Sequence, residues 1–342
     1  MPPRESSDIQ YNFTEHSQDD VLNSLSKEEL IATFEKMVLI RQFEVRASAA
    51  YQTGAVGGFF HAYTGQEAIQ TAAVCAMGIK ENWWTTTYRC HALALLLGES
   101  PESLMCELYG KAAGNAKGRG GSMHFFSERM LGGYGIVAGH LPIATGAGFS
   151  LKYKGEKGVS ICFLGDGAVV QGTVHESLNL AALWDLPCIY VVENNQWGMG
   201  TATKRAVAKQ PIAENLAKSY GMESYTLKGM DFFNCYAGFA KIYAEVLKKG
   251  KPILVEAVTE RFVGHSISDP GLYRSKAELE EAKKRDPITF FGHTLIEKGI
   301  LTQEEAEAIK AEKKQQVMQA MDIAEKSPAP RIETLEEDVF AP

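Results

Sequence analysis

Residues 159–200 read VSICFLGDGAVVQGTVHESLNLAALWDLPCIYVVENNQWGMG. Residues 159–164 form a short, mostly apolar run, which predicts a buried strand. Val174, Leu178, Ala181 and Ala182 follow as a helical stripe. Pro187 then opens CIYVV, residues 188–192, apolar at almost every position. Strands covered on both faces read this way in parallel sheets. A third such run, residues 253–258, is expected to join the same sheet. The fold class is therefore α/β, a mainly parallel sheet with helices on both faces.

Within this frame Asp166 sits just past one predicted strand and Asn195 just past the next. In open α/β sheets ligands bind beyond the carboxyl ends of the strands. One right-handed crossover brings both oxygen ligands to the same edge. Magnesium suits such a set: it takes six oxygens, one or two from side chains and the rest from phosphate and water. The Trp197 carbonyl is a candidate third ligand, which leaves positions for a diphosphate. Gly165 and Gly167 let the backbone turn sharply and let phosphate approach the amides of the next helix. A lone Gly-Asp-Gly is an ordinary turn. After a buried strand, and followed by a helix, a second strand and Asn-Asn, it reads as a metal site.

Size and charge narrow the options. The chain has 342 residues, 45% hydrophobic, enough for a large core. A net charge of −7 argues against a nucleic-acid partner, which needs a basic face, but leaves room for a local basic pocket. The six cysteines form no CxxC pair and read as reduced thiols. The acidic N-terminus lacks the features of a secretory or mitochondrial leader, and no apolar run is long enough to span a bilayer. A bacterial cytoplasm is the expected compartment; a cleaved organellar chain would read the same.

Residues 1–25 read as a polar, weakly ordered arm. Ser26 and Glu29 make a capping box, and Leu30, Phe34, Met37 and Val38 begin a long helix to near Gln52. Residues 26–300 read as one α/β domain. From Gly114 to Gly148 glycines are dense but interleaved with Met123, Phe125, Phe126, Leu131, Ile136 and Val137. That pattern is expected of a backbone folded close to a ligand rather than of a linker. Thr302 and Glu305 make another capping box, and residues 301–342 are expected to form an outer helix and an extended tail, packed on the domain or on a partner subunit.

The run GDGAVVQG…ALWDLPCIYVVENNQWGMG closely resembles the thiamine diphosphate motif of 2-oxo acid dehydrogenase alpha subunits. GGFFHAYTGQEA from Gly57, TTYRCH from Thr86, KGRGGSMH from Lys117, GGYGIV from Gly132 and GHSISDPGLYRS from Gly264 agree in order. The resemblance covers almost all of residues 30–287. It implies the thiamine diphosphate-binding fold, with thiamine diphosphate and Mg2+ as cofactors. Asp166, Asn195 and the Trp197 carbonyl match the metal ligands. Tyr88 and Arg89 match residues at the diphosphate, Gly167 and Ala168 its backbone donors, and Gly135 and Val137 the segment under the pyrimidine ring. His61 and His265 match active-site histidines, His265 also at the cofactor. Trp197 stands where many relatives have tyrosine, which a carbonyl ligand tolerates, and AVVQ stands where AANQ is common.

The implied reaction is oxidative decarboxylation of a 2-oxo acid, with acyl transfer to a lipoyl group. GGSMH and HSISDPGLYR look more like pyruvate or acetoin enzymes than branched-chain ones; pyruvate is the expected substrate, with acetoin and branched-chain enzymes as alternatives. The glutamate that activates the cofactor in this family is expected from a separate beta subunit, in a heterotetramer of two alpha and two beta chains. The lipoyl domain of a dihydrolipoyl acetyltransferase is the further partner. Ser266 matches a position phosphorylated in some mitochondrial relatives, a use not expected in a bacterial chain. By composition alone His61, beside Phe59 and Phe60, reads as a core histidine; the resemblance reverses that. His265 lies in a loop suited to a mobile acid or base. His16 and His293 read as ordinary surface groups, and His124 and His140 stay open. A nicotinamide-binding fold would need GxGxxG, which GDGAVVQG does not fit. A non-catalytic assembly subunit is countered by the presence of both Asp166 and Asn195.

Overall fold

The computed structural model describes residues 9–14 and 18–340. The chain opens with α1 (Gln18–Ser24), α2 (Lys27–Gln52) and α3 (Glu67–Met77), then β1 (Trp83–Thr87), α4 (His91–Leu96) and α5 (Pro101–Leu108). Next come β2 (Met130–Tyr134), α6 (Leu141–Lys154), β3 (Ser160–Gly165), α7 (Gly172–Leu183) and β4 (Cys188–Asn194). A small hairpin of β5 (Trp197–Gly198) and β6 (Thr201–Ala202) leads to α8 (Thr203–Ala206) and α9 (Ile212–Tyr220). Finally β7 (Glu223–Lys228), α10 (Phe232–Lys249) and β8 (Ile253–Val258) precede α11 (Lys276–Lys283), α12 (Pro287–Glu297) and α13 (Gln303–Lys326).

Six strands form one sheet in the order β2-β1-β3-β4-β8-β7, and every neighbouring pair is parallel. The apolar runs divide between two cores with period 2. Ile161, Phe163, Ile189, Val191, Ile253 and Val255 face the larger core, which also holds buried residues of α2, α3, α10, α12 and α13. Cys162, Leu164, Cys188, Tyr190, Val192 and Leu254 face the smaller core with residues of α6, α7 and α9. Each strand is covered on both sides, so polar alternation is absent although the geometric alternation is present.

The expected elements form, and the structure adds three strands to the main sheet, β1, β2 and β7, besides the small β5–β6 hairpin. β1 is WWTTT, yet Thr85 and Thr86 are fully buried; Thr85 is satisfied by the Ile161 carbonyl at 3.2 Å. β2 contains Gly133, where a Cβ would stand 2.5 Å from Cys90 Sγ. β7 is half-polar because it lies at the sheet edge. Ala182, read as part of the buried stripe of α7, is only half-buried.

Capping boxes form at Ser26 and Thr302 as the spacing requires. The N-terminal arm differs from expectation where it is described. Phe13 is buried, and Asn12 bridges the β7 edge, donating to Ser224 O at 3.2 Å and accepting from Thr226 N at 2.6 Å. An amide side chain thus does at an open sheet edge what a paired strand would do. Helix α13 lies on α2 and α5, and buries mostly small or branched side chains, among them Val317, Ala320 and Ala324. The segment after it is not simply extended. It makes a short turn at Ile332–Thr334, and Arg119 holds the carbonyls of Thr334 and Glu337. Among the described residues no helix is long and apolar enough to cross a membrane.

Candidate active site

The carboxyl ends of β3 and β4 open onto a cavity of about 940 Å3. Its lining includes Asp166, Gly167, Ala168, Asn195 and Trp197 on one side, and His61, Tyr88, Arg89 and His265 on another. Gly135 and Val137 form a further wall. Every residue singled out in the sequence for this site therefore meets in one place.

Asp166 follows the last residue of β3, where Gly165 pairs with Glu193 of β4. The expected helix does not begin at once: a single 3-10 turn, Asp166–Ala168, intervenes before α7. Asp166 is buried, and burial pushes its carboxyl above the usual range although Thr203 donates to it. Asn195 is fixed from two sides: its Nδ2 donates to Gln66 Oε1 at 3.2 Å, and its Oδ1 accepts from Trp197 N at 3.3 Å. Gln66 Nε2 is buried and has no hydrogen-bond partner among the described residues. The β5–β6 hairpin presses on the Asp166 turn, so that a Cβ on Gly167 would stand 3.1 Å from Gly198 Cα.

This donor set is one carboxylate, one amide and neighbouring carbonyls. Among the described residues no group of three or more His, Cys, Asp or Glu side chains is placed to hold a metal. Hard oxygen donors in small number fit magnesium, which completes its shell with phosphate and water. Among the described residues Asp166 makes no ion pair, and the Arg261 charge offsets only part of its burial; a bound cation would offset the rest, which fits the same reading.

Arg89, which also lines the cavity, is buried and holds two backbone carbonyls, Ala62 O and His265 O, each at 2.6 Å. Burial lowers its pKa from the ordinary arginine value. The rings of His61 and Tyr88 lie 4.3 Å apart, and those of His61 and His265 5.2 Å apart. Burial first, and the Arg89 charge second, lower His61 to about 3 and His265 to about 4. Both imidazoles are thus neutral near pH 7 and able to accept a proton or a hydrogen bond.

The loop that carries His265 is tied down rather than free. Asp269 accepts from His265 N and from the Tyr273 hydroxyl, both at 2.6 Å. Buried Arg261 donates to Tyr273 Oη and to Met199 O, both at 2.8 Å. The Tyr273 ring packs 4.9 Å from Trp197, so the histidine loop and the Asn195 loop lean on each other. Ser266 is nearly buried, lines the cavity and shares a 2.9 Å hydrogen bond with Ser268.

Some residues of this site escaped the sequence reading. Glu193 lines the cavity with its carboxyl buried, accepting from Tyr63 and from Gln70. Burial raises it to about 7. Its signal was a lone acid closing an otherwise apolar strand. Gln66, Arg261 and Asp269 gave no distinct signal, because their value lies in contacts between distant segments. Of the histidines left open, His124 lines the cavity, whereas His140 is buried with Nε2 2.7 Å from Phe163 O and also reaches the cavity. His293 is a surface residue 3.6 Å from Glu297, and His16 lies outside the described residues.

Comparison with known proteins agrees with this geometry. The family described as "Dehydrogenase E1 component" matches residues 35–333. The chain is 40% identical to the pyruvate dehydrogenase E1 component subunit alpha of Rickettsia bellii over 316 residues, covering 92% of this chain and 96% of that protein. It is 41% identical to the same subunit of Rhizobium meliloti over 320 residues, 92% of this chain and 91% of that one. For the protein of that name from Porphyra purpurea the identity is 38% over 327 residues, 93% and 94% of the two chains. With a match of this extent, the chain belongs to the dehydrogenase E1 component family.

Proposed function

We propose that this chain is the alpha subunit of a thiamine diphosphate-dependent pyruvate dehydrogenase (acetyl-transferring), working with a beta subunit. The observation that carries the reading is the convergence of Asp166 and Asn195, from adjacent strand ends, on the cavity that Arg89, His61 and His265 also line. The curated relatives, similar over nearly the whole chain, are named as that subunit.

When bound, thiamine diphosphate supplies the carbon nucleophile and the electron sink for loss of CO2 from a 2-oxo acid. Asp166, Asn195 and the Trp197 carbonyl would hold Mg2+ against the diphosphate. Gly167 and Ala168 offer backbone at the phosphate, with Tyr88 and Arg89 on the facing wall. The Arg89 charge favours an anion there, while its hydrogen bonds keep the segments of His61 and His265 in place. Gly135 and Val137 would receive the pyrimidine ring. Neutral His61 and His265 accept protons and hydrogen-bond the reacting oxygens and the incoming lipoyl group.

The carboxylate that activates the cofactor is assigned to the beta subunit. Glu193 also lines the cavity, with its Oε1 accepting from Tyr63 and from Gln70. The open side of the cavity exposes Phe59, Ile136, Val137 and Met199, apolar surface of the kind a partner chain covers. A heterotetramer of two alpha and two beta chains in the bacterial cytoplasm, serving the lipoyl domain of an acetyltransferase, is the assembly we assign.

Co-expression with the cognate beta chain, followed by a lipoyl-dependent assay, tests this. Pyruvate is expected to outrun acetoin and branched 2-oxo acids in kcat/KM, and the alpha chain alone to be inactive. Decarboxylation by the isolated alpha chain would sink the split site. Preference for acetoin or a branched acid would reassign the substrate.

A further inference from the structure

The glycine-rich segment before the cavity wraps around a carboxylate of its own chain. Glu107, on α5, is fully buried. Its Oε2 accepts from Ala116 N and Gly118 N, each at 2.8 Å. Its Oε1 accepts from Gly120 N at 2.7 Å and Gly121 N at 3.1 Å. A carboxylate has about four lone-pair sites, so the four donors use its accepting capacity. The glycines permit the wrapping: a Cβ on Gly114 would stand 2.6 Å from Glu107 Cα, and Gly118 and Gly121 take φ of +76° and +59°.

The next residues carry the order to the cavity. Ser122 meets His91 Nε2 through its carbonyl at 3.0 Å and its hydroxyl at 2.9 Å. His91 Nδ1 in turn lies 3.0 Å from Glu44, on α2. Met123 and His124 then line the cavity. His124 Nδ1 is 3.0 Å from Gly120 O, and its Nε2 would be 3.4 Å from a Cβ on Gly135.

We propose that Glu107 is a positioning residue for the cofactor site: by folding residues 116–121 around its carboxylate it sets Met123 and His124 against Gly135. The role rests on the cofactor reading above, since Gly135 is the segment assigned to the pyrimidine ring. Glu107 touches no ligand itself. It acts through the backbone N–H groups of residues 116, 118, 120 and 121, for which its carboxylate is the acceptor.

The test uses the full chain assembled with its beta partner. Amide exchange over residues 116–121 and the Kd for thiamine diphosphate, titrated with Mg2+ by tryptophan fluorescence, are measured for wild type and Glu107→Gln. Glutamine turns one acceptor into a donor facing two N–H groups, so exchange there is expected to rise at least about tenfold. The cofactor Kd is expected to weaken on the order of tenfold, with kcat at saturating cofactor retained. Arg119→Ala, which frees the C-terminal segment from the outer side of the loop, is expected to leave Kd unchanged. Unchanged exchange and Kd in Glu107→Gln overturn the proposal, as does a rise in Kd accompanied by falls in kcat and thermal midpoint, which marks a merely structural role. Should Glu107→Gln fail to fold, Gly120→Ala moves the same wall, because its Cβ meets His124 O at 2.9 Å. The same split between Kd and kcat is then required, and an unchanged Kd overturns the proposal. A wild-type assembly that binds no thiamine diphosphate refutes the cofactor reading instead, and the exchange measurement still judges whether Glu107 holds the loop.

Discussion

Two glycine-dense turns in this chain look alike in sequence and approach opposite things. Gly165 and Gly167 flank Asp166 at the end of β3 and open onto the cavity. Gly118, Gly120 and Gly121, with Ala116, donate to the Glu107 carboxylate, and Gly114 packs on its backbone, so this turn has its acceptor within the chain. In both, glycine allows close approach of the backbone. The difference lies in what meets the negative charge. At Glu107 four backbone N–H groups do; at Asp166 the Thr203 hydroxyl donates to the carboxyl, and among the described residues no cation forms an ion pair with it. Glycine density therefore announces a close approach, and only the charge balance tells whether a ligand completes it.

The largest test of this contrast is Asp166→Ala. It is expected to weaken thiamine diphosphate binding on the order of 100-fold or more. Because a desolvated carboxyl is removed, the unfolding midpoint without cofactor should not fall. Calorimetric titration and melting curves together check this; binding at wild-type strength would break the contrast. Next, Arg89→Lys removes the fork that holds two carbonyls. A drop in kcat of about 100-fold is expected from misplacement of the two histidine segments, read in steady-state assays of the assembly. A paired comparison sharpens the contrast further. Gly114→Ala meets Glu107 backbone and should cost about 1–3 kcal/mol of stability in urea unfolding. Gly167→Ala meets only Gly198 and should spare the midpoint while raising the cofactor Kd.

The smallest effect is on pH dependence. His61 and His265 have folded pKa values near 3 and 4, below their ordinary 6.5. Above pH 6.5 they are neutral folded or unfolded. As pH falls from about 6.5 towards 4, the unfolded chain takes up more protons and stability is lost. Glu193 runs the other way: its folded value near 7 exceeds the ordinary 4.5, so it adds stability as pH falls from 7 to 4.5. Urea midpoints across this range should fall less steeply in a His61→Gln, His265→Gln double variant, and more steeply in Glu193→Gln.

The sheet core and the Asp166–Asn195 edge were legible because they depend on local runs and on strand order. Apolar segments mark buried parallel strands, and ligands collect beyond their ends. β1 was not legible, since its threonines are buried by their neighbours and not by their own polarity. The glycines of residues 114–148 lead one to expect a backbone close to a ligand; in the first part of that stretch, up to Gly121, the acceptor is instead Glu107, a residue with nothing in its local sequence to mark it. Arg261 and Asp269 are of the same kind: each gains its role from segments far away in the chain.

One consequence of Arg89 reaches beyond this reaction. It grips residues 62 and 265 by their carbonyl oxygens, which every amino acid possesses. This fastening is thus independent of the side chains at positions 61 and 265, so a substitution at either place changes the surface facing the cavity while these two main-chain anchors remain.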